Sequence, residues 1–247
     1  MDLVGEKGFG IKIRMRMIEN PCFEILTPKS VLRDQLLGIE RAGRTCYRSE
    51  KGEVTTETAE KFVRMLLGRG HETPIEHSLM TVRFTDISIG MTREQNRHRL
   101  TAISERSTRY VDYDKEGEVG FVPPPGRDLD IGVDLGDGLV LSPRQMADME
   151  ERFYRSLRGQ GWSPEDARQY LPIGTESEEV VSANFREWRH IFALRTTKPA
   201  HWEIRRVIGE LLGEVQEIVP GVFADFVERG IDDKGVKYYE MLKARGK

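Results

Sequence analysis

Between Thr55 and Leu67 the apolar residues Ala59, Phe62, Val63, Leu66 and Leu67 recur every three or four positions. Residues so spaced share one face of a helix, so an amphipathic helix is predicted over 55–67, capped by Thr55 or Thr56. Gly68 and Gly70 end it. After GHETPIEH (70–77) the period drops to two, with Met80, Val82 and Phe84 on one side of a strand. Gly90 breaks that alternation, and the run from about Met91 to Leu100 reads as helical. Residues 121–141, FVPPPGRDLDIGVDLGDGLVL, are rich in proline, glycine and aspartate and predict a long surface loop. Ser142-Pro143 makes a cap and first-turn pair for a helix with Met146, Met149, Phe153 and Leu157 on its inner face. Ser163-Pro164 repeats the device before DARQYLP. Two further helices are expected over 184–194 and 200–217. Ile204, Val207, Ile208, Leu211, Leu212 and Val215 stripe the second, and Pro220 stops it. The pattern is that of an α+β chain, helix-rich in its second half, without repeats or low-complexity tracts.

A chain of 247 residues can bury a sizeable core. The motifs on the two sides of the 121–141 loop cooperate in the chemistry below, so residues 1–247 are read as a single domain. Apolar residues at 38% and charged residues at 32% describe a soluble protein with a heavily charged surface. No apolar run nears the ~20 residues a membrane span needs. The first 20 residues hold no apolar core of signal-peptide length, so cytoplasm is the expected compartment. Cys22 and Cys46 are the two cysteines, which excludes a disulfide framework and CxxC zinc chemistry.

Charge changes the picture locally. The net charge is -3, yet Arg93 to Arg109 holds five arginines and His98 against Glu94 and Glu105. A compact cationic focus in an acidic chain suits a small anion. A nucleic-acid surface would want basic residues over a whole face and aromatic rings among the cations, and 97–109 has no aromatic. Neither GxGxxG after a strand nor GxxxxGK[ST] occurs.

All five histidines fall in three segments: His71 and His77, His98, and His190 and His201. Zinc at His71 and His77 is disfavoured, because helical ligands want a spacing of four and Pro74 forbids a regular helix between them; no metal is expected. On a helix, successive side chains diverge by ~100°, so Arg97, His98 and Arg99 cannot all face one small pocket. Either one extended ligand curls round them or two sites share the segment, across a subunit interface for example. The planar fork of arginine pairs with phosphate oxygens two at a time. The plainer alternative is a solvated face held by ion pairs to Glu94 and Glu105. Ser107 lacks a GxSxG setting, so its hydroxyl beside Arg106 and Arg109 suits phosphate binding better than nucleophilic attack.

RHRLTAISERS is RHR, seven residues, then serine, and resembles the signature of the flavin-dependent thymidylate synthases, the ThyX family. RGHETPIEH upstream, and ARQYLP (167–172), SANFREWRHIFALR (182–195) and AHWEIR (200–205) downstream, match in order over roughly residues 30–228. The resemblance implies a central antiparallel sheet flanked by helices. It implies FAD contacts from Thr73, Arg97, His98, Arg99, Asn184, Arg186 and His190, with Glu105 shared between cofactor and substrate. It also implies dUMP contacts from Glu94, Arg97, Glu105, Arg106, Ser107, Thr108, Arg109, Arg168 and Arg195. Arg195 would lie against the uracil ring and stabilise its anionic, nucleophilic form.

The implied reaction is reductive methylation of dUMP to dTMP. 5,10-Methylenetetrahydrofolate gives the carbon, NADPH reduces through FAD, and no cysteine attacks the base. Cys46 would lie near flavin, His71 would position folate or flavin, and the assembly would be a homotetramer sharing sites between subunits. One residue departs from the pattern: Glu94 stands three before RHR, where relatives commonly have glutamine. Arg93 or Arg97 is expected to pair it, and the change leaves room for UMP or another uridine nucleotide as substrate. The first ~25 residues and the 127–141 loop match nothing in the family pattern.

Overall fold

The computed structural model describes residues 15–46, 48–49, 52–113 and 117–242; most of the opening segment read for a signal peptide therefore lies outside the described residues. In chain order the first elements are β1 (Arg16–Met17), β2 (Cys22–Ile25), α1 (Lys29–Thr45), α2 (Thr56–Gly68), β3 (Met80–Ser88), α3 (Ile89–Gln95) and β4 (Ala102–Glu105). They continue through β5 (Gly120–Phe121), β6 (Val133–Asp134), β7 (Val140–Leu141), α4 (Pro143–Gly159), α5 (Pro164–Ala167) and β8 (Glu176–Ala183). The last are α6 (Phe185–Arg195), α7 (Trp202–Ile218), α8 (Pro220–Phe223), β9 (Phe226–Ile231) and β10 (Lys237–Met241).

The fold is α+β. Its central sheet is antiparallel, in the order β2-β3-β8-β4. Met80, Val82 and Phe84 of β3 and Val181 and Ala183 of β8 turn one face of that sheet into the main core. Leu32, Leu36 and Ile39 of α1, Ala59 and Val63 of α2, and the predicted stripe of α7 pack with them. Trp188 of α6 is fully buried there, and its indole N–H donates to the Met80 carbonyl at 3.0 Å. That bond fixes α6 to β3.

Between Phe84 and Ile87 the pairing with β8 shifts register. Thr85 and Asp86 there oppose Glu178 alone, and Asp86 takes a left-handed φ of 56°, which aspartate tolerates better than most side chains. The extra residue returns Ile87 to the core face already used by Phe84.

Two expectations fail. The helix after Gly90 runs only from Ile89 to Gln95, so RHR lies in the turn beyond its end. On α4, Met146, Met149 and Phe153 are exposed, and the buried side carries Ala147, Glu151, Tyr154 and Leu157. The apolar stripe suggested the wrong face because the true inner face includes a carboxylate: Glu151 is buried by accepting bonds from Arg155 and the Val119 amide. Ser142 and Ser163 cap α4 and α5 as predicted. The 121–141 segment is mostly exposed and contains the small β6–β7 hairpin.

Candidate active site

The site begins with the anchoring of α3. Ser88 Oγ accepts from the Met91 amide at 3.0 Å and donates to Glu203 Oε2 at 2.5 Å, while its own amide donates to Glu203 Oε1 at 2.7 Å. Burial pushes the Glu203 carboxyl up, and these bonds offset only part of that rise. The Ile89 and Gly90 amides donate to the carbonyls of Thr175 and Ile173, both at 2.9 Å. Just past this short helix the His98 amide donates to Gln95 O at 3.0 Å and Thr101 Oγ1 donates to His98 O at 2.5 Å. A tight turn results. His98 is 4% exposed, whereas Arg97 and Arg99 on either side are exposed. The three side chains diverge because of a turn, not a helix.

His98 meets Arg195, the last residue of α6. Arg195 Nε donates to His98 Nε2 at 2.9 Å, Nη1 to Glu94 Oε2 at 2.5 Å, and Nη2 to the Glu94 carbonyl at 2.7 Å. Arg195, and neither Arg93 nor Arg97, is thus the cation that pairs Glu94. On its other side His98 Nδ1 lies 3.6 Å from Glu187 Oε1. The His190 ring stands edge-on to the His98 ring, centroids 5.8 Å apart. Burial, then the Arg195 charge, then His190 hold His98 down at about 4, so the ring is neutral at working pH.

The other predicted residues fall into two groups. Thr73 opens a 3₁₀ turn, Thr73–Glu76, and is exposed. Across from that turn Asn184 caps α6, its Oδ1 accepting from the Glu187 amide at 2.9 Å. Arg186 pairs with Glu72 at 3.4 Å and with Glu76. Asn184, Arg186, Glu187 and His190 line a cleft of about 490 Å³ with Leu100 and Ala193. A neighbouring cleft of about 560 Å³ shares Glu72, Arg189 and Met241 with it. A flavin fits this wall on its donor set: an exposed guanidinium for a pyrophosphate, an amide and an imidazole for a ring edge, and apolar surface between them.

The second group surrounds the turn after β4. Glu105 ends β4 and accepts from Asn96 Nδ2 at 3.1 Å, which ties the 105–109 loop to the RHR turn. Arg106 is half-buried between Glu176 at 3.5 Å and Glu178 at 3.2 Å. Ser107 Oγ accepts from the Arg109 amide at 3.4 Å, and Arg109 pairs with Glu165 at 3.0 Å. Arg168 Nη1 donates to Thr108 Oγ1 at 2.6 Å, so the 3₁₀ turn that follows α5, Arg168–Tyr170, is joined to the loop. His71 and His77 are both exposed beside the 3₁₀ turn. Cys46, exposed at the end of α1, donates to Ala42 O at 3.7 Å, and Cys22 donates to Asn20 O at 3.4 Å.

Sequence reasoning missed Glu187, Glu72 and Glu76, the carboxylates that hold the predicted cations and His98. Glu187 lies three residues before His190, a spacing that shares a helix face, and this signal could have found it. It also missed Arg189, buried between the clefts and bonded to Asp225 Oδ1 at 2.6 Å and Oδ2 at 2.5 Å.

The α+β fold thus seats a buried imidazole against a half-buried guanidinium beside a cleft whose donors suit a flavin. The chain belongs to the flavin-dependent thymidylate synthase family: residues 31–221 match the family described as Thymidylate synthase complementing protein. The flavin-dependent thymidylate synthase of Mycobacterium marinum is 34% identical over 200 residues, which is 76% of this chain and 78% of that protein. That of Mycobacterium tuberculosis is 34% identical over 198 residues, with the same coverage. Among solved structures, the fold resembles a UMP/dUMP methylase, PolB of Streptomyces cacaoi bound with 5-Br dUMP. The TM-score is 0.65 at 22% identity, covering 85% of this chain and 96% of that one. Among the described residues no helix is long and apolar enough to cross a membrane.

Proposed function

We propose that the chain reductively methylates dUMP to dTMP, with 5,10-methylenetetrahydrofolate as carbon donor and NADPH as reductant, without a cysteine nucleophile. The observation that carries this reading is the Arg195 guanidinium, held against a neutral buried His98 beside the cleft walled by Asn184, Arg186 and His190. Arg195 uses one N–H on each of its three nitrogens in these bonds. A guanidinium has five N–H groups, so one on each Nη is left to donate to a uracil carbonyl and N3. Such donors stabilise negative charge on the ring, and the ring's C5 becomes the nucleophile that a thiolate would otherwise have to create.

FAD, when bound, supplies the hydride that completes the methyl group. Thr73, Asn184, Arg186 and His190 would hold it, with Arg97, His98 and Arg99 reaching it from the RHR turn and Glu105 alongside. Arg106, Ser107, Thr108, Arg109 and Arg168 would take the phosphate and sugar of dUMP, joined by Arg97 and Glu94. Neither thiol bonds to any of these residues.

A second reading is methylation of UMP, favoured by the Glu94 carboxylate where relatives commonly carry an uncharged amide. The whole of 1–247 is taken as one domain working as a cytoplasmic homotetramer with sites shared between subunits. The outward Arg97 and Arg99 and the exposed Met146, Met149 and Phe153 support that assembly.

The deciding experiment measures tritium release from 5-labelled dUMP, and from labelled UMP in parallel, with methylenetetrahydrofolate and NADPH. Release from dUMP by a yellow protein is expected. Colourless protein that takes up no added flavin, or release that stops when Cys22 or Cys46 is replaced, would overturn the reading.

A further inference from the structure

His98, Glu187 and His190 bring a ring nitrogen or a carboxylate oxygen each to within 4.8 Å of one another. Two roles compete for such a cluster, a divalent-cation site and a hydrogen-bond relay, and the Arg195 contact decides between them. A guanidinium has N–H donors and no acceptor. Nε of Arg195 sits 2.9 Å from His98 Nε2, so that nitrogen must offer its lone pair. In a neutral imidazole the single proton then resides on Nδ1. Nδ1 is the nitrogen that faces Glu187 Oε1, at 3.6 Å. A cation at Nδ1 would have to displace that proton while Nε2 still accepts from Arg195, which would leave an imidazolate. The relay is the chemically economical state.

We infer that Glu187 is a positioning residue for methylation: it fixes His98 as the Nδ1–H tautomer, which gives Arg195 a neutral acceptor and aims its remaining N–H groups at the pyrimidine. The chain of contacts runs Glu187, His98, Arg195, Glu94, with a carboxylate at each end. It spans α6, the RHR turn and the last turn of α3. Glu187 is 6% exposed, its amide is tied to the Asn184 side chain, and it lines the flavin-suited cleft. The inference rests on the proposed methylation only for its kinetic arm, because the tautomer can be read without any turnover.

The test uses the flavin-loaded protein. Nitrogen-15 NMR of histidine-labelled parent, without nucleotide, should show His98 with its proton on Nδ1 and an unprotonated Nε2. Glu187→Ala should shift that population and lower kcat about 10- to 100-fold, the scale of a misaimed catalytic group, with KM for dUMP changed less than about threefold. Glu187→Gln retains a carbonyl acceptor and should keep both the tautomer and most of kcat. Four outcomes would overturn the inference: a parent His98 protonated on Nε2, an unchanged kcat in Glu187→Ala, an effect confined to KM, or a Glu187→Gln loss as deep as that of alanine. Stoichiometric zinc in the parent that disappears in Glu187→Ala would overturn it in favour of the cation site. If dUMP methylation itself fails in the parent, the NMR arm still decides the relay.

Discussion

Four arginines of the candidate site each hold a carboxylate: Arg195 with Glu94, Arg186 with Glu72, Arg106 with Glu178, and Arg109 with Glu165. An incoming phosphate or base edge therefore competes with an anion already in place. Glu94→Gln should ease that competition at Arg195 while leaving the Glu94 backbone carbonyl bonded to Nη2. The expected result is a KM for dUMP about two- to fivefold lower, of the size of one partly exposed ion pair, as steady-state kinetics would read. Arg195→Ala should abolish methylation yet leave flavin bound with its absorbance intact; full activity in that variant would remove Arg195 from the chemistry. At this scale the sequence was most informative. The cationic segment could be read from residue types, whereas the divergence of RHR was expected from a helix and comes from a turn. The pairing of Glu94 could not be read, because Arg195 is 101 residues away in the chain and only folding brings it there.

Short elements carry the site, and their ends matter more than their lengths. α3 has seven residues and would be marginal alone. It persists because Ser88 caps it and because Glu203, on α7, receives two bonds from that same serine. Ser88→Ala removes a cap and the hydroxyl donor to a buried carboxylate. The expected destabilisation is about 1–3 kcal/mol, read as a lower midpoint in chemical denaturation, with a proportionate loss of flavin affinity. Helix and strand existence was visible in periodicity for α2, β3, α6 and α7. The end of α3 was not: Leu100 continues an apolar pattern but is exposed, and the turn rests on the His98 amide bond to Gln95 O and the Thr101 hydroxyl bond to His98 O, which no periodicity announces. The inner face of α4 was misjudged for a related reason, since hydrophobic spacing does not anticipate a buried Glu151–Arg155 pair.

Across the whole molecule, the central sheet hides an ionisable group that the chemistry does not use. Glu179 of β8 is 1% exposed and lies opposite Glu105 in the strand pairing. Burial first, and the Glu105 charge second, raise its carboxyl from 4.5 to about 8. Between those two values the folded chain binds more protons than the unfolded one, so this group's contribution is complete below 4.5 and lost as pH rises through 8. Glu179→Gln should match the parent in denaturation at pH 4–5 and exceed it increasingly toward pH 9. Identical pH profiles would show that Glu179 is charged in the fold. No sequence pattern announces this group, because ESEEVVSA reads as an alternation with either parity inward until the pairing with β3 is known.

That pairing holds the one irregularity on which the geometry downstream depends. Were the step at Phe84–Ile87 ironed out with Thr85 still in the chain, every later side chain of the strand would rotate by half a turn. Ile87 would swing to the far side, and Ser88 would lose its glutamate. The spare residue works as a phase-setter: a chain paired one for one there would keep its composition and every motif, yet carry Ser88 and the helix it caps to the wrong side of the sheet.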